Sequence, residues 1–236
     1  MSDILLIHGS CHGAWAWSAL IPELQTLGHS ARAIDLPGSG EDRTPLAEVT
    51  PDAYAEAIIR ALGQDTVLLG HSASGFAITA AAERAPDRIA RLIYLCAYLP
   101  VPGRSMLDLR KDAPFQPLKG ALAKTADGLG YTVDPALAPN VFYQDCPPEV
   151  HAYAVPRLGP QAIAPQAMAL DMSENSRKVP KSYILCENDA TIPPAHQAAM
   201  TADWPRGDIH RIGTGHSPFF AAPGRLAALI DGILTA

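Results

Sequence analysis

A short apolar run that turns abruptly into a segment of small residues is the most restrictive feature of this sequence. Residues 67–70 read Val-Leu-Leu-Gly and predict a strand, whereas residues 77–82 are typical of a helix. Between the two lies Ser72, flanked by small residues. A strand that turns directly into a helix forces the turn residue into a strained backbone conformation, which requires small neighbours. We therefore expect Ser72 to project from the carboxyl edge of a sheet, beside the positive end of a helix.

Ser72 in this setting has the surroundings of an activated nucleophile, provided that a base can reach it. The usual pattern for such a turn is Gly-x-Ser-x-Gly, but here Ser74 occupies the place of the last glycine and Gly75 follows one position late. We expect Ser74 to be a tolerated small residue in close strand–helix packing, so that Ser74→Gly leaves activity nearly unchanged. The alternative for Ser72 is a helix N-cap, a position that serine favours.

Predicted strands and helices alternate along most of the chain, with one helix expected at residues 14–27. This alternation is typical of an α/β fold with a doubly wound, mostly parallel sheet. We expect six strands, at residues 3–7, 30–35, 66–69, 91–97, 181–186 and 208–212.

The alternation breaks between residues 100 and 178, where prolines, aromatic residues and methionines are interspersed among short mixed segments. A structureless loop of that length is improbable in a compact domain. We therefore predict that residues 100–178 form an inserted helical cap. The core would then consist of a first part at residues 1–99 and a second part at residues 179–236.

Composition excludes several classes of function. The 236 residues are 48% hydrophobic and carry a formal net charge of −6, which argues against binding to nucleic acid or to an anionic membrane. No apolar run approaches the roughly 18–20 residues of a membrane-spanning helix, and the N-terminus does not resemble a signal peptide. The four cysteines are widely scattered, as expected of reduced thiols in a cytoplasmic protein.

No metal or other cofactor is expected. The eight histidines include no His-Glu-x-x-His motif. Residues 38–40 read Gly-Ser-Gly, but the rest of a dinucleotide-binding fingerprint is missing.

A base and an acid follow Ser72 along the chain, each in a loop after a predicted strand. The carboxyl ends of parallel strands share one edge of the sheet, where ligands bind. His216 would take the proton from Ser72 and return it to the leaving group, although a lone histidine can equally be an ordinary loop residue. Asp189 would hold the imidazole in the required tautomer, the alternatives being a turn aspartate or Glu187 as the acid. We favour Asp189 because it lies further beyond its strand.

A serine that attacks a carbonyl group generates an oxyanion, which needs hydrogen-bond donors where the negative charge develops. The backbone N–H of Ala73, directly after Ser72, is one expected donor, and the backbone N–H of Ser10 is the other. We expect His71 to point away from the reaction and His12 to shape either the wall of the pocket or the start of the first helix.

Six segments together resemble one family, the small α/β-hydrolases that include plant methyl-salicylate and methyl-jasmonate esterases and plant hydroxynitrile lyases. The resemblance implies an α/β-hydrolase fold with an inserted cap, no cofactor, and a substrate held between the cap and the sheet edge. It also implies catalytic roles for Ser72, Asp189 and His216, with backbone donors from Ser10 and Ala73. The similar segments are residues 8–17, 35–40, 70–75, 142–149, 189–194 and 215–217.

Two positions separate the esterase reaction from the lyase reaction. Hydroxynitrile lyases of this group commonly carry threonine or asparagine where Gly9 stands, and the threonine type has lysine where Ser217 stands. Without that cation, cyanide would have no stabilising charge. We therefore expect a serine hydrolase that cleaves small, largely apolar carboxylic esters through an acyl-enzyme.

Other possibilities remain open at this stage. The same three residues also suit hydroxynitrile lyase-like chemistry and the hydrolysis of lactones, thioesters or carbon–carbon bonds, and a non-catalytic ligand-binding role is the alternative from another class. The expected partner is a small-molecule ester, with no nucleic acid and no membrane. The sequence leaves the oligomeric state open between a monomer and a homodimer.

Overall fold

A six-stranded, fully parallel sheet forms the centre of the computed structural model, which describes residues 1–236. The strands of this sheet are β1 (Asp3–Ile7), β2 (Ser30–Ile34), β3 (Thr66–His71), β4 (Ile89–Leu95), β8 (Lys181–Cys186) and β9 (Ile209–Ile212). Their order in the sheet is β2-β1-β3-β4-β8-β9, which confirms the doubly wound parallel sheet expected from the sequence.

Helices cover both faces of the sheet. The helices that pack on the core are α1 (Leu20–Thr26), α2 (Pro51–Ala61), α3 (Ser74–Arg84), α9 (Pro194–Met200), α10 (Pro218–Ala221) and α11 (Pro223–Thr235). Side chains from α1 and α11 join one large apolar cluster, and side chains from α2 and α3 join a second on the opposite face. Because the central strands are buried on both faces, β1 and β3 are almost wholly apolar.

The position of β1 determines where a ligand can bind. The chain passes from β1 outward to β2 and then returns to place β3 on the other side of β1. The loops after β1 and β3 therefore diverge at a topological switch point, which leaves a crevice at the carboxyl edge of the sheet. Ser72 and the segment 8–13 lie in these two loops.

Two expected elements differ in the structure. The single helix predicted at residues 14–27 is a 3-10 turn, Ala14–Trp17, followed by α1, which begins at Leu20. Pro22 explains the break, because proline is tolerated in the first turn of a helix and its ring would clash with a carbonyl four residues earlier. The strand predicted at residues 91–97 runs instead from Ile89 to Leu95, and Cys96 has a φ of +36°, which no strand accommodates.

The segment at residues 100–178 contains a small antiparallel sheet as well as helices. Sequence reasoning missed this sheet because its strands have only two to four residues: β5 (Leu122–Lys124), β6 (Gly130–Val133) and β7 (Gln161–Ala162). The helices of this segment, all short, are α4 (Met106–Lys111), α5 (Ala138–Phe142), α6 (Pro148–Ala154), α7 (Ala164–Ala167) and α8 (Asn175–Lys178). No helix of the protein is both long enough and apolar enough to cross a bilayer.

Candidate active site

Ser72 occupies a sharp turn between β3 and α3. Its φ of +56° lies in the left-handed region, where non-glycine residues are uncommon and strained. Backbone hydrogen bonds hold the turn: the N–H of Ser72 donates to the carbonyl of Leu95 at 3.1 Å, and its own carbonyl accepts from the N–H of Tyr98 at 3.0 Å. The neighbouring strand therefore fixes a backbone conformation that directs Ser72 away from the sheet edge.

The glycine that appears one position late in the motif has a packing role. A Cβ atom on Gly75 would lie 2.1 Å from the carbonyl oxygen of Tyr98, and one on Gly70 would lie 2.8 Å from the carbonyl oxygen of Ser74. Such distances are well inside van der Waals contact. The close approach of α3 to β3 and to the segment after β4 therefore depends on both glycines.

The structure brings Ser72, His216 and Asp189 together, although they are far apart in the sequence. The Oγ atom of Ser72 lies 3.1 Å from Nε2 of His216, and Nδ1 of His216 lies 2.8 Å from Oδ2 of Asp189. His216 and Asp189 are buried, and Ser72 is 7% exposed. With the Nδ1 proton on the side of Asp189, the Nε2 atom is free to accept the proton of the serine hydroxyl.

Asp189 is held by three further donors. Its Oδ1 atom accepts from the backbone N–H groups of Thr191 at 2.6 Å and Ile192 at 2.9 Å, and its Oδ2 atom accepts from Nε2 of Gln197 at 2.9 Å. Gln197 was not identified from the sequence, because a lone glutamine in a helix carries no motif. Glu187, the rival acid, is half-exposed, and its Oε1 atom lies 3.6 Å from Nη1 of Arg211.

The two expected oxyanion donors are both unbonded within the protein. The backbone N–H groups of Ser10 and Ala73, two partly buried residues, donate to no acceptor of this chain. Gly9 permits the approach of the first loop to the nucleophile: a Cβ atom at that position would lie 2.7 Å from Nδ1 of His71 and 2.9 Å from Cβ of Ser72.

Three buried histidines surround the site and are held neutral. Burial lowers the pKa of His8, lowers that of His12 to about 3, and lowers that of His71 well below the usual value. The Nε2 atom of His71 lies 2.8 Å from the carbonyl oxygen of His216, and the centroids of the two rings are 4.5 Å apart. It therefore supports the loop that carries His216.

One grouping in the structure has the composition of a metal site. Ligand atoms of His71, Cys96 and His216 lie within 4.8 Å of one another. However, both ring nitrogens of His216 are bonded to Ser72 and Asp189, and Nε2 of His71 is bonded to the His216 carbonyl. These donors already have partners, and the absence of a metal remains a prediction.

The inserted segment closes over the site. The ring of Phe142 stacks on that of His216, with centroids 5.9 Å apart. Nε2 of Gln144 donates to the carbonyl of Asn188 at 2.7 Å, and the N–H of Gly215 donates to Asp145 at 2.5 Å. The segment thus contacts the loops of both the acid and the base.

A narrow pocket adjoins the two free amides. Ser10 and Ala73 line it, and no aspartate, glutamate, lysine or arginine does. This uncharged lining suits an apolar group next to a carbonyl. The main apolar walls come from Leu36, Tyr54, Phe76, Ala77, Pro165 and Leu170.

Known proteins resemble this chain in sequence and in fold. The family model described as "Alpha/beta hydrolase family" matches residues 4–229. The chain is 28% identical over 249 residues to Esterase PIR7B of Oryza sativa, covering 96% of this chain and 93% of the relative. It is 30% identical over 246 residues to the Pyrethroid hydrolase of Sphingobium wenxiniae, covering 98% and 86%. The crystal structure of a pyrethroid hydrolase from Sphingobium faniae superposes with a TM-score of 0.87 at 26% identity, covering 100% and 98%.

Proposed function

The chain belongs to the alpha/beta hydrolase family and is a carboxylic-ester hydrolase, and we propose that it acts through Ser72, His216 and Asp189 by way of an acyl-enzyme. The hydrogen-bonded chain from Ser72 Oγ through His216 to Asp189 carries this proposal. A serine hydroxyl on a strained turn, a base at 3.1 Å and a buried carboxylate behind that base are the parts of an activated nucleophile.

In the first half of the reaction, Ser72 Oγ attacks the ester carbonyl carbon and passes its proton to Nε2 of His216. The carbonyl oxygen becomes an anion that the N–H groups of Ser10 and Ala73 stabilise. The intermediate then collapses: the bond to the alcohol oxygen breaks, and the proton on His216 goes to that oxygen. Asp189 stabilises the imidazolium while it exists.

In the second half, a water molecule attacks the acyl group on Ser72 and gives a proton to His216. The same two donors stabilise the new anion. Its collapse breaks the bond to Ser72 Oγ, which recovers the proton, and the carboxylic acid is released. Every proton moves through His216, so neither half needs a cofactor.

The substrates are small, largely apolar esters. The pocket beside Ser10 and Ala73 has no charged side chain, so a charged group would lose its hydration there without compensation. The relatives include enzymes named for a methyl jasmonate ester and for pyrethroids, and this chain resembles both over nearly its whole length.

Cyanohydrin cleavage is disfavoured by the surroundings of the serine. A threonine in place of Gly9 would have to fit where a Cβ atom already falls within 3 Å of His71 and Ser72. Ser217, directly after the base, is buried and uncharged, so no cation is available at that position to stabilise cyanide.

A panel of esters tests the proposal. Purified protein should hydrolyse short-chain p-nitrophenyl esters and aryl methyl esters, and Ser72→Ala should remove that activity. A fluorophosphonate should label the unaltered protein and not Ser72→Ala, which also separates an enzyme from a ligand-binding relative. Activity that is absent in the unaltered protein, or unchanged in Ser72→Ala, would contradict the proposal.

A further inference from the structure

Ser10 and Cys11 lie in the loop that carries the first oxyanion donor. Three of their four backbone polar groups have a hydrogen-bond partner, and one is free. Nδ1 of His12 lies 2.8 Å from the carbonyl oxygen of Ser10, and the carbonyl of Cys11 accepts from the N–H of Gly159 at 2.9 Å. The N–H of Cys11 donates to Oε1 of Gln161 at 3.3 Å. Only the N–H of Ser10 is left without an acceptor.

This loop is also strained. Cys11 has a φ of +64° and is buried, although a non-glycine residue there costs free energy relative to extended or helical backbone. Such a conformation persists only when surrounding contacts impose it. Both hydrogen bonds to the backbone of Cys11 come from the inserted segment.

Gln161 supplies the first of these contacts. It lies in β7, is 4% exposed, and its amide bridges the loop and the core: Oε1 accepts from Cys11, and Nε2 donates to the hydroxyl of Tyr54 at 3.1 Å. Together with the N–H of Gly159, it bonds both backbone polar groups of the strained residue.

Gln166 supplies the second contact. It lies in α7, is 2% exposed, and its Nε2 atom donates to the side-chain oxygen of Ser10 at 2.9 Å. Its Oε1 atom accepts from the hydroxyl of Tyr131 in β6 at 3.1 Å. The side chain of Ser10 is thereby anchored to the small sheet of the insertion.

A third contact acts through His12. Its pKa is lowered to about 3 by burial, so the ring is neutral and one nitrogen must be an acceptor. Nε2 lies 2.7 Å from the hydroxyl of Tyr143, and Nδ1 faces the carbonyl of Ser10. The hydroxyl of Tyr143 therefore favours the tautomer in which Nδ1 donates to Ser10.

We propose that Gln161 and Gln166 are positioning residues, which hold the 9–11 loop so that the N–H of Ser10 points at the developing oxyanion. The insertion is then a structural part of the oxyanion hole and not solely a cover for the substrate. This inference rests on the proposed function, because it concerns the same reaction at the same serine.

The expected effect is on chemistry rather than on binding. A donor must lie about 2.7–3.1 Å from the oxyanion, and removal of one such donor typically costs about 10²–10³ in rate. A displacement of about 1 Å can cost up to about 10². Loss of a positioning residue should therefore lower kcat by about 10–100-fold. Gln161 and Gln166 also line the pocket beside Ser10 and Ala73, so a rise in KM with unchanged kcat would mean that they contact substrate and would contradict the inference.

The experiment compares Gln161→Met and Gln166→Met with the unaltered protein on one p-nitrophenyl ester. An aryl trifluoromethyl ketone, which forms a tetrahedral adduct with an anionic oxygen, should lose affinity by the same factor as kcat/KM. A merely structural role would lower the melting temperature and leave this inhibition constant unchanged. Gln25→Met, at an exposed position of α1, is the matched control and should alter neither quantity.

Ser10→Ala provides a second, milder variant, because it removes the oxygen that Gln166 holds and keeps the backbone N–H. The double variant should lose no more kcat than the more impaired single variant, because Ser10→Ala and Gln166→Met remove the same hydrogen bond. Unchanged kcat and inhibitor affinity in folded Gln161→Met, Gln166→Met and Ser10→Ala would overturn the inference while esterase activity persists. If the unaltered protein cleaves no ester, the proposed function fails and this inference fails with it.

Discussion

The hydroxyl of Ser74 donates a hydrogen bond to the main-chain carbonyl of His8. This bond connects the first turn of α3, directly after the nucleophile, to the residue that precedes Gly9 and Ser10. Ser74 is 3% exposed, so no solvent can replace it as a donor. The serine in the place of the usual glycine therefore has a contact of its own, and the expectation that Ser74→Gly leaves activity nearly unchanged needs revision.

We now expect Ser74→Ala to lower both stability and activity. Removal of the hydroxyl leaves the buried carbonyl of His8 unsatisfied, which should lower the free energy of unfolding by about 1–3 kcal/mol. His8 directly precedes Gly9 and Ser10, so loss of this hydrogen bond should displace the loop that carries the oxyanion donor. We therefore expect kcat to fall by about tenfold. Thr79→Val is the matched control, since Thr79 lies on the same helix and bonds Tyr94, away from the loop. Thr79→Val should lower the free energy of unfolding and leave kcat unchanged. Equal kcat values in Ser74→Ala and Thr79→Val would contradict the link between Ser74 and the oxyanion loop.

Asp189 and Glu187 provide a paired test of the acid. Asp189→Asn keeps the shape of the side chain but favours the wrong tautomer of His216, so kcat should fall by about 10⁴. Glu187→Gln should leave kcat unchanged, because Glu187 is half-exposed and paired with Arg211. Steady-state kinetics on one p-nitrophenyl ester measures both. A larger loss in Glu187→Gln would reassign the acid.

Stability should decrease as the pH falls from 7 to 5. His12 has a pKa lowered to about 3 in the folded protein, against an ordinary value of 6.5, so the unfolded chain binds more protons in this window. His12 alone should lower the free energy of unfolding by about 2 kcal/mol between pH 7 and pH 5. The lowered pKa values of His8 and His71 act in the same direction. Urea unfolding at several pH values measures how the free energy of unfolding changes with pH, and His12→Asn should reduce this change. A free energy of unfolding that stays constant between pH 7 and pH 5 would contradict the burial of neutral histidines.

Two glycines should respond in opposite directions to alanine. Gly75→Ala places a Cβ atom 2.1 Å from the carbonyl oxygen of Tyr98, so α3 must move away and the melting temperature should fall. Gly232→Ala lies near the end of α11 with open space around it, and should raise the free energy of unfolding by about 0.5–1 kcal/mol. Thermal unfolding of both variants checks the pair; a stable Gly75→Ala would mean that the approach of α3 is not tight.

The parts of the site that could be predicted from sequence are those whose position follows from chain order. Ser72, Asp189 and His216 each follow a strand of one parallel sheet, so the sheet itself brings them to one edge. The same reasoning placed Ser10 next to the nucleophile. Strand β1 was also predictable, because a buried apolar run is a local signal.

The supporting residues could not be found in this way. Gln161, Gln166 and Gln197 act through side-chain amides whose partners are 150, 156 and 8 residues away in sequence, and no spacing rule identifies them. The small sheet of the insertion was missed for a related reason. Its strands are too short for an alternating pattern, and tertiary contacts decide their conformation.

The central claim is that Ser72 carries an acyl group during turnover. Protein quenched in acid during hydrolysis of p-nitrophenyl acetate and analysed by mass spectrometry should contain one acetyl group, located on the peptide that includes Ser72. Asp189→Asn should carry less of it, and Ser72→Ala none. Hydrolysis that proceeds without an acyl adduct, or an adduct that persists in Ser72→Ala, would contradict the account.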